Sequence, residues 1–136
     1  AGFWPGGGKQ RFAVLTGGEP LLQVDEGLLA ALHDADFEIA VETNGTIAAP
    51  AGIDWLCVSP KAGVRLAQKS GDELKLVYPQ GEMDPALYAS LDFRHFFLQP
   101  RDGRDREEAL RRTLDYVLAH PPWRLSLQMH KWLGIR

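Results

Sequence analysis

The chain has 136 residues, a single-domain length, and its 45% hydrophobic and 24% charged content is that of an ordinary soluble protein able to bury a core. A net charge of -3 argues against a nucleic-acid clamp, and no apolar run approaches the roughly 18 residues that span a bilayer. The opening AGFWPGGGKQ lacks the basic-then-apolar order of a secretory signal, so a cytoplasmic protein with no direct nucleic-acid or membrane partner is expected.

The first ten residues, from Ala1, read as the end of a helix and a Gly-rich loop, so an upstream segment is expected to be missing. The first strand candidate, RFAVLT (Arg11 to Thr16), runs into Gly17, Gly18, Glu19 and Pro20. Two glycines after a strand by themselves ease a tight turn. A carboxylate directly behind them adds an acceptor to a row of exposed backbone donors. That combination suits a zwitterionic amino-acid group, with N–H groups facing its carboxylate and the acid facing its ammonium. A helix follows, N-capped by Asp25, with Leu28, Leu29 and Leu32 on one face.

FEIAVE (Phe37 to Glu42) is the second strand, and ETNGT follows it. Asn44-Gly45 fits a plain turn, whereas Glu42 at the strand end suits two ribose hydroxyls. The third strand, DWLCVS (Asp54 to Ser59), opens into SPKAG, where Lys61 is either a solvated lysine or the partner of a carboxylate. The lone cysteine, Cys57, reads as core packing, and one thiol makes no internal disulfide and no multi-cysteine metal site. ELKLVY (Glu73 to Tyr78) and HFFLQ (His95 to Gln99) are the fourth and fifth strands, the latter leading into QPRDG.

Asp105 with Glu108 reads as a capping box for a second helix, whose apolar stripe is Leu110, Leu114, Val117 and Leu118 and whose stop is Pro121-Pro122. WRLSLQ (Trp123 to Gln128) is the last strand, with QMHKWLGIR as the polar segment behind it. His120 and His130 lack metal-ligand spacing to each other and read as surface or capping residues. The strand–helix–strand order predicts one α/β unit with a parallel sheet. Thr43 to Ile53 and Pro60 to Asp72 lie near the lower limit of about a dozen residues for a parallel crossover, so loops or a single helical turn are expected there. Polar, Gly- and Pro-rich segments follow most of the strands, which places a ligand site beyond their carboxyl ends.

The ordered set TGGEPLLQ, ETNGT, IDWLCVSPKAG, ELKLVYPQ, FFLQPRDG and HPPWRLSLQMHKWLGIR resembles the 7-carboxy-7-deazaguanine synthase family, a branch of the radical S-adenosylmethionine superfamily. Gly-Gly-Glu-Pro behind a strand resembles the cofactor motif of that whole superfamily. The resemblance covers almost all of the chain and implies a single partial domain over residues 1–136. Its fold is implied to be a partial β/α barrel of mostly parallel strands, without the first strand and the cluster loop. It implies S-adenosylmethionine binding by Gly17, Gly18 and Glu19, with Glu42, Ser59, Pro60, Lys61, Gln99, Pro100, Arg101 and Asp102 in the other cofactor-binding segments. Substrate contacts are implied for Thr16 and for the terminal carboxylate of Arg136. The family more often has Met where Arg101 stands, and its QTHK is Gln128-Met129-His130-Lys131 here.

One departure is deeper. The three N-terminal cysteines that hold the family's four-iron, four-sulfur cluster are not present, nor are its Gln-Gly-Glu-Gly substrate loop and its magnesium-binding Thr. No residue is therefore assigned a catalytic or metal-binding role, and the chain alone is expected to be inactive. The implied parent is a carbon-nitrogen lyase that contracts 6-carboxy-5,6,7,8-tetrahydropterin to 7-carboxy-7-deazaguanine with loss of ammonia, in the biosynthesis of queuosine for tRNA. The resemblance also implies the cluster, Mg2+ and S-adenosylmethionine as cofactors, an electron donor such as flavodoxin, and a homodimer. Two other readings stand beside it: a non-catalytic S-adenosylmethionine- or nucleotide-binding fragment, and a fragment whose missing half arrives as a separate chain.

Overall fold

A computed structural model describes residues 11–135, apart from the side chain of Trp132. Its strands are β1 (Arg11–Leu15), β2 (Phe37–Thr43), β3 (Trp55–Val58), β4 (Ser70–Tyr78), β5 (Asp92–Pro100) and β6 (Trp123–Leu125). Its helices are α1 (Glu26–Asp34), α2 (Arg106–Ala119) and α3 (Met129–Leu133), with single 3-10 turns at Pro20–Leu22 and Pro85–Leu87. All six strands form one parallel sheet in the order β1-β2-β3-β4-β5-β6. The sheet is open, with β1 and β6 as its edges among the described residues, so the α/β class and the partial-barrel expectation both hold.

Strand alternation divides the sheet into two unlike faces. Ile39 and Val41 of β2, Leu56 and Val58 of β3, Leu74 and Leu76 of β4 and Leu98 of β5 form one buried layer. Leu29 of α1 belongs to the same layer, and Leu32, Tyr116 and Val117 of the two long helices pack against it. Fully burying each such aliphatic side chain stabilises by about 1.5–3 kcal/mol, so this layer carries most of the fold's driving force. The residues between them project to the other face, where the parallel register aligns Glu42, Cys57, Glu73 and His95 across four strands. As expected from their length, the segments joining β2 to β3 and β3 to β4 contain no helix.

Two carboxylates pin the register at the strand starts. Asp54 Oδ2 accepts from the Ile39 N–H at 2.7 Å and lies 2.9 Å from His33 Nε2. These contacts, His33 first and the Ile39 N–H second, hold its carboxyl below the usual aspartate range. Asp72 Oδ2 accepts from the Leu56 N–H at 2.9 Å, while Arg94 reaches its other oxygen at 3.1 Å.

Asp25 caps α1 as expected, its Oδ1 accepting from the Leu28 N–H at 2.8 Å. The second helix differs. Asp105 occupies the N-cap position without a side-chain cap bond, because its carboxylate pairs with the Arg101 guanidinium instead. Glu108 is taken by Arg111 at 2.6 Å, so no capping box forms. The buried face of α2 is set by Ala109 and Thr113, with Tyr116 and Val117 beside them, whereas Leu118 is 82% exposed. At the chain end β6 stops at Leu125, short of the expected Gln128. The segment read as a loop holds α3, closed by Gly134 in the left-handed conformation that ends helices (φ 66°).

β1 pairs only with β2 among the described residues, and its Phe12 and Val14 are exposed on the face away from the helices. An edge with apolar side chains and unpaired backbone groups is a template for another chain. The chain is therefore expected to self-associate through β1, with fast amide exchange at residues 11–15 and slower exchange in β3 and β4. Light scattering that shows a monomer at high concentration, or exchange as slow in β1 as in β4, would contradict this.

Candidate functional site

The loop behind β1 leaves through Gly17 at φ +88°, a region where side-chain-bearing residues are strained, and a Cβ added at Gly17 or Gly18 would meet no atom within 4 Å. The backbone of this turn therefore borders open space. Glu19 points the other way, into the protein. Its Oε1 accepts from the Leu21 N–H at 3.1 Å and the Thr43 hydroxyl at 2.6 Å, and its Oε2 accepts from the Asn44 N–H at 2.8 Å. One carboxylate thus caps the first 3-10 turn and ties the β1 loop to the end of β2. A carboxylate has about four lone-pair positions, so one acceptor position remains for a ligand.

β2 ends in a tight turn. Asn44 Oδ1 accepts from the Thr46 N–H at 2.8 Å, and the buried Thr43 hydroxyl accepts from the Gly45 N–H at 3.0 Å. Gly45 adopts φ +76°, and a Cβ there would lie 2.6 Å from both Leu66 Cδ1 and Val58 Cγ1. The Asn-Gly turn is thus built around close backbone approach as well as handedness.

Beyond the carboxyl ends of the strands, Thr16, Gly18, Glu42, Ser59, Lys61 and Gln99 line one cleft. Gly17 and Glu19 line an adjoining depression with Val14 and Gln23. Pro100, Arg101 and Asp102 line a third, whose wall Gln128 shares with the central cleft. The Arg101 guanidinium is engaged by Asp105, and Asp102 is 2.7 Å from Lys131, whose ammonium holds the Asp102 carboxyl below its usual range. Pro60 is buried, and Lys61 is exposed with its Nζ 3.4 Å from Ser59 Oγ. Arg136 lies outside the described residues.

Sequence reasoning did not assign Thr43, Asn44, Lys75, Val77 and Gln128 to this cleft, all of which line it. Lys75 had a signal: it stands between the buried Leu74 and Leu76, so strand alternation sends it to the face opposite the helices. Its Nζ lies 3.3 Å from Glu42 Oε1. Cys57 is buried as expected, though on the cleft face between Glu42 and Glu73 rather than in the helix-side layer. Burial pushes its thiol up to about 12 against the pull of Lys75, so it is protonated at neutral pH. Beside it the Trp55 indole N–H donates to Glu73 at 2.9 Å and its ring stacks on His95. Among the described residues no group of three His, Cys, Asp or Glu side chains is placed to hold a metal ion, and no helix is long and apolar enough to cross a membrane.

No family model matches the chain. Over 132 residues it is 57% identical to the 7-carboxy-7-deazaguanine synthase of Caulobacter vibrioides, covering 97% of this chain and 63% of that one. The likeness extends to the 7-carboxy-7-deazaguanine synthase of Prochlorococcus marinus, 33% identical over 153 residues, of which the chain covers 67%. The chain belongs to the 7-carboxy-7-deazaguanine synthase family. The crystal structure of QueE from Escherichia coli matches the fold with a TM-score of 0.70 at 29% identity, over 87% of this chain and 57% of that one. The family inferred from the loop motifs is thereby confirmed, and so is its α/β architecture. The chain spans about 63% of the length of the first curated relatives it matches.

Proposed function

We propose that this chain is the S-adenosylmethionine- and substrate-binding portion of a cytoplasmic 7-carboxy-7-deazaguanine synthase. That enzyme would convert 6-carboxy-5,6,7,8-tetrahydropterin to 7-carboxy-7-deazaguanine with release of ammonia, on the way to queuosine. The observation that carries the reading is the cleft, which gathers Thr16, Glu42, Ser59 and Gln99 from the ends of different strands in a chain 57% identical to a synthase.

The residues present suit the methionine end and ribose of S-adenosylmethionine. The open backbone at Gly17-Gly18 and the exposed ammonium of Lys61 offer donors to a carboxylate. Glu19 keeps one acceptor position for an ammonium, and Glu42 presents a carboxylate to ligand hydroxyls. Bound there, the cofactor would supply the organic radical of this superfamily; the share of the residues here is to bind, orient and exclude water. The iron–sulfur cluster does not fit this chain, whose one cysteine is buried and protonated. The cluster, Mg2+, the flavodoxin-type donor and the homodimer belong to the proposal through family likeness.

The test is anaerobic reconstitution with iron and sulfide. The chain alone is expected to show neither cluster absorbance nor turnover, and joined to the cysteine-bearing N-terminal segment of a relative it should show both. A cluster held at one per chain by the 136 residues alone, or a cluster-loaded joined protein that forms no product, would overturn the reading.

A further inference from the structure

We propose that Lys75 of β4 is a positioning residue, which fixes the Glu42 carboxylate so that it accepts a pair of adjacent O–H or N–H donors from a ligand in the cleft. This rests on the proposed function above and extends it to a residue that neither the motifs nor the loop analysis singled out.

Lys75 rises from the middle of a strand, where Leu74 and Leu76 are 0% and 1% exposed on the opposite face. Its side chain is 19% exposed, against 47% for Glu42, so the lysine forms the floor and the glutamate the wetter wall. In register it is flanked on β5 by Phe97, and in the next row toward the strand starts, opposite Glu73, stands the neutral thiol of Cys57. The other nearby acid, Glu73, is occupied by the Trp55 indole. Among the described residues Glu42 is thus the one ion-pair partner of Lys75.

The pair is asymmetric. Lys75 engages Glu42 Oε1 at 3.3 Å, while no bond from a described residue reaches Oε2. A half-buried ammonium on one oxygen removes rotamer freedom from the carboxylate, which lowers the ordering cost when a ligand docks. Oε2, with the spare lone pair of Oε1, is left for a ligand of the cleft, which Thr16, Gly18, Ser59 and Gln99 also line. Two ligands of the proposed reaction carry such a donor pair: the ribose diol of S-adenosylmethionine and the aminopyrimidinone edge of the pterin.

The experiment is calorimetric titration of the chain completed with the N-terminal segment of a relative, using S-adenosylmethionine and 6-carboxytetrahydropterin separately. K75M should weaken one of the two by about tenfold or more, the loss expected for a misplaced charge-assisted hydrogen bond, and the ligand affected identifies the source of the donor pair. K75R, which keeps the charge, should stay within about threefold of the parent. Because Lys75 acts through Glu42, the double variant K75M/E42Q should bind no more weakly than E42Q. The assignment is overturned if K75M leaves both affinities unchanged, if K75R is as weak as K75M, or if the two single losses multiply. A parent that binds neither ligand would bring down the proposed function as well; a parent that binds both beside a silent K75M removes only the role of Lys75.

Discussion

Glu19→Gln is expected to lower the unfolding free energy of the chain by about 2–4 kcal/mol, the largest loss foreseen for a change that conserves shape. Both oxygens of Glu19 serve as acceptors, Oε1 for Leu21 and Thr43 and Oε2 for Asn44. An amide must turn its NH2 toward one of these donors, so a bond between a carboxylate and an N–H becomes a donor facing a donor. Each charge-assisted bond is worth roughly 1.5–3 kcal/mol, and the three share one side chain, so their losses do not sum. The same substitution removes the charge proposed to face the ammonium of S-adenosylmethionine, and binding to the completed protein should weaken by about tenfold or more. Denaturant titration and calorimetry read the two effects separately. A variant as stable as the parent contradicts the structural part, and one that binds as tightly contradicts the ligand part.

Gly45→Ala should cost about 3–4 kcal/mol, because left-handed strain of about 1–2 kcal/mol is compounded by overpacking. The new methyl would sit 2.6 Å from Leu66 Cδ1 and Val58 Cγ1, and Val58 is fully buried in the helix-side layer and has nowhere to go. The Gly45 carbonyl also accepts from the Ala67 and Gln68 N–H groups, at 2.8 and 3.0 Å. A shift that relieves the clash therefore strains the tie between the β2 turn and the segment leading to β4. Gly63 supplies the comparison: its φ is +73°, but a Cβ there meets nothing within 4 Å, so Gly63→Ala should show the conformational cost alone. Equal destabilisation of the two variants would mean that the contact with Val58 is not what fixes Gly45.

Particular residues show why some of this was legible beforehand. DWLCVS announces itself because burial on both faces leaves a nearly continuous apolar run, and ELKLVY because buried Leu74 and Leu76 alternate with polar residues of the other face. The loops announce themselves because chemistry at a strand mouth needs Gly, Pro and charged residues in places where a plain connection does not. Gly18, Glu42 and Lys61 were found that way, Thr16, Ser59 and Gln99 through the family resemblance, and the structure brings all six to one cleft. Lys75 escaped because a single charge inside a strand looks like an ordinary solvated face until its partner on β2, Glu42, is known. Asp105 and Glu108 have capping spacing, but whether they cap depends on the competition from Arg101 and Arg111, which spacing does not encode. Helix α3 is too short to show a period, and only Gly134 marked its end.

The order of the strands bears on how the molecule can be made. Each strand lies beside the one before it in the chain, so none is threaded between two that are already paired. During synthesis the sheet can grow at a single margin as the polypeptide leaves the ribosome, each emerging strand finding its template already in place. A nascent chain that has reached Pro100 already contains both members of every pair from β1 to β5. The same geometry runs in the other direction. Strands encoded ahead of Arg11 can join at β1 and break no existing ladder, so a longer relative need not rebuild this half to accommodate its own beginning.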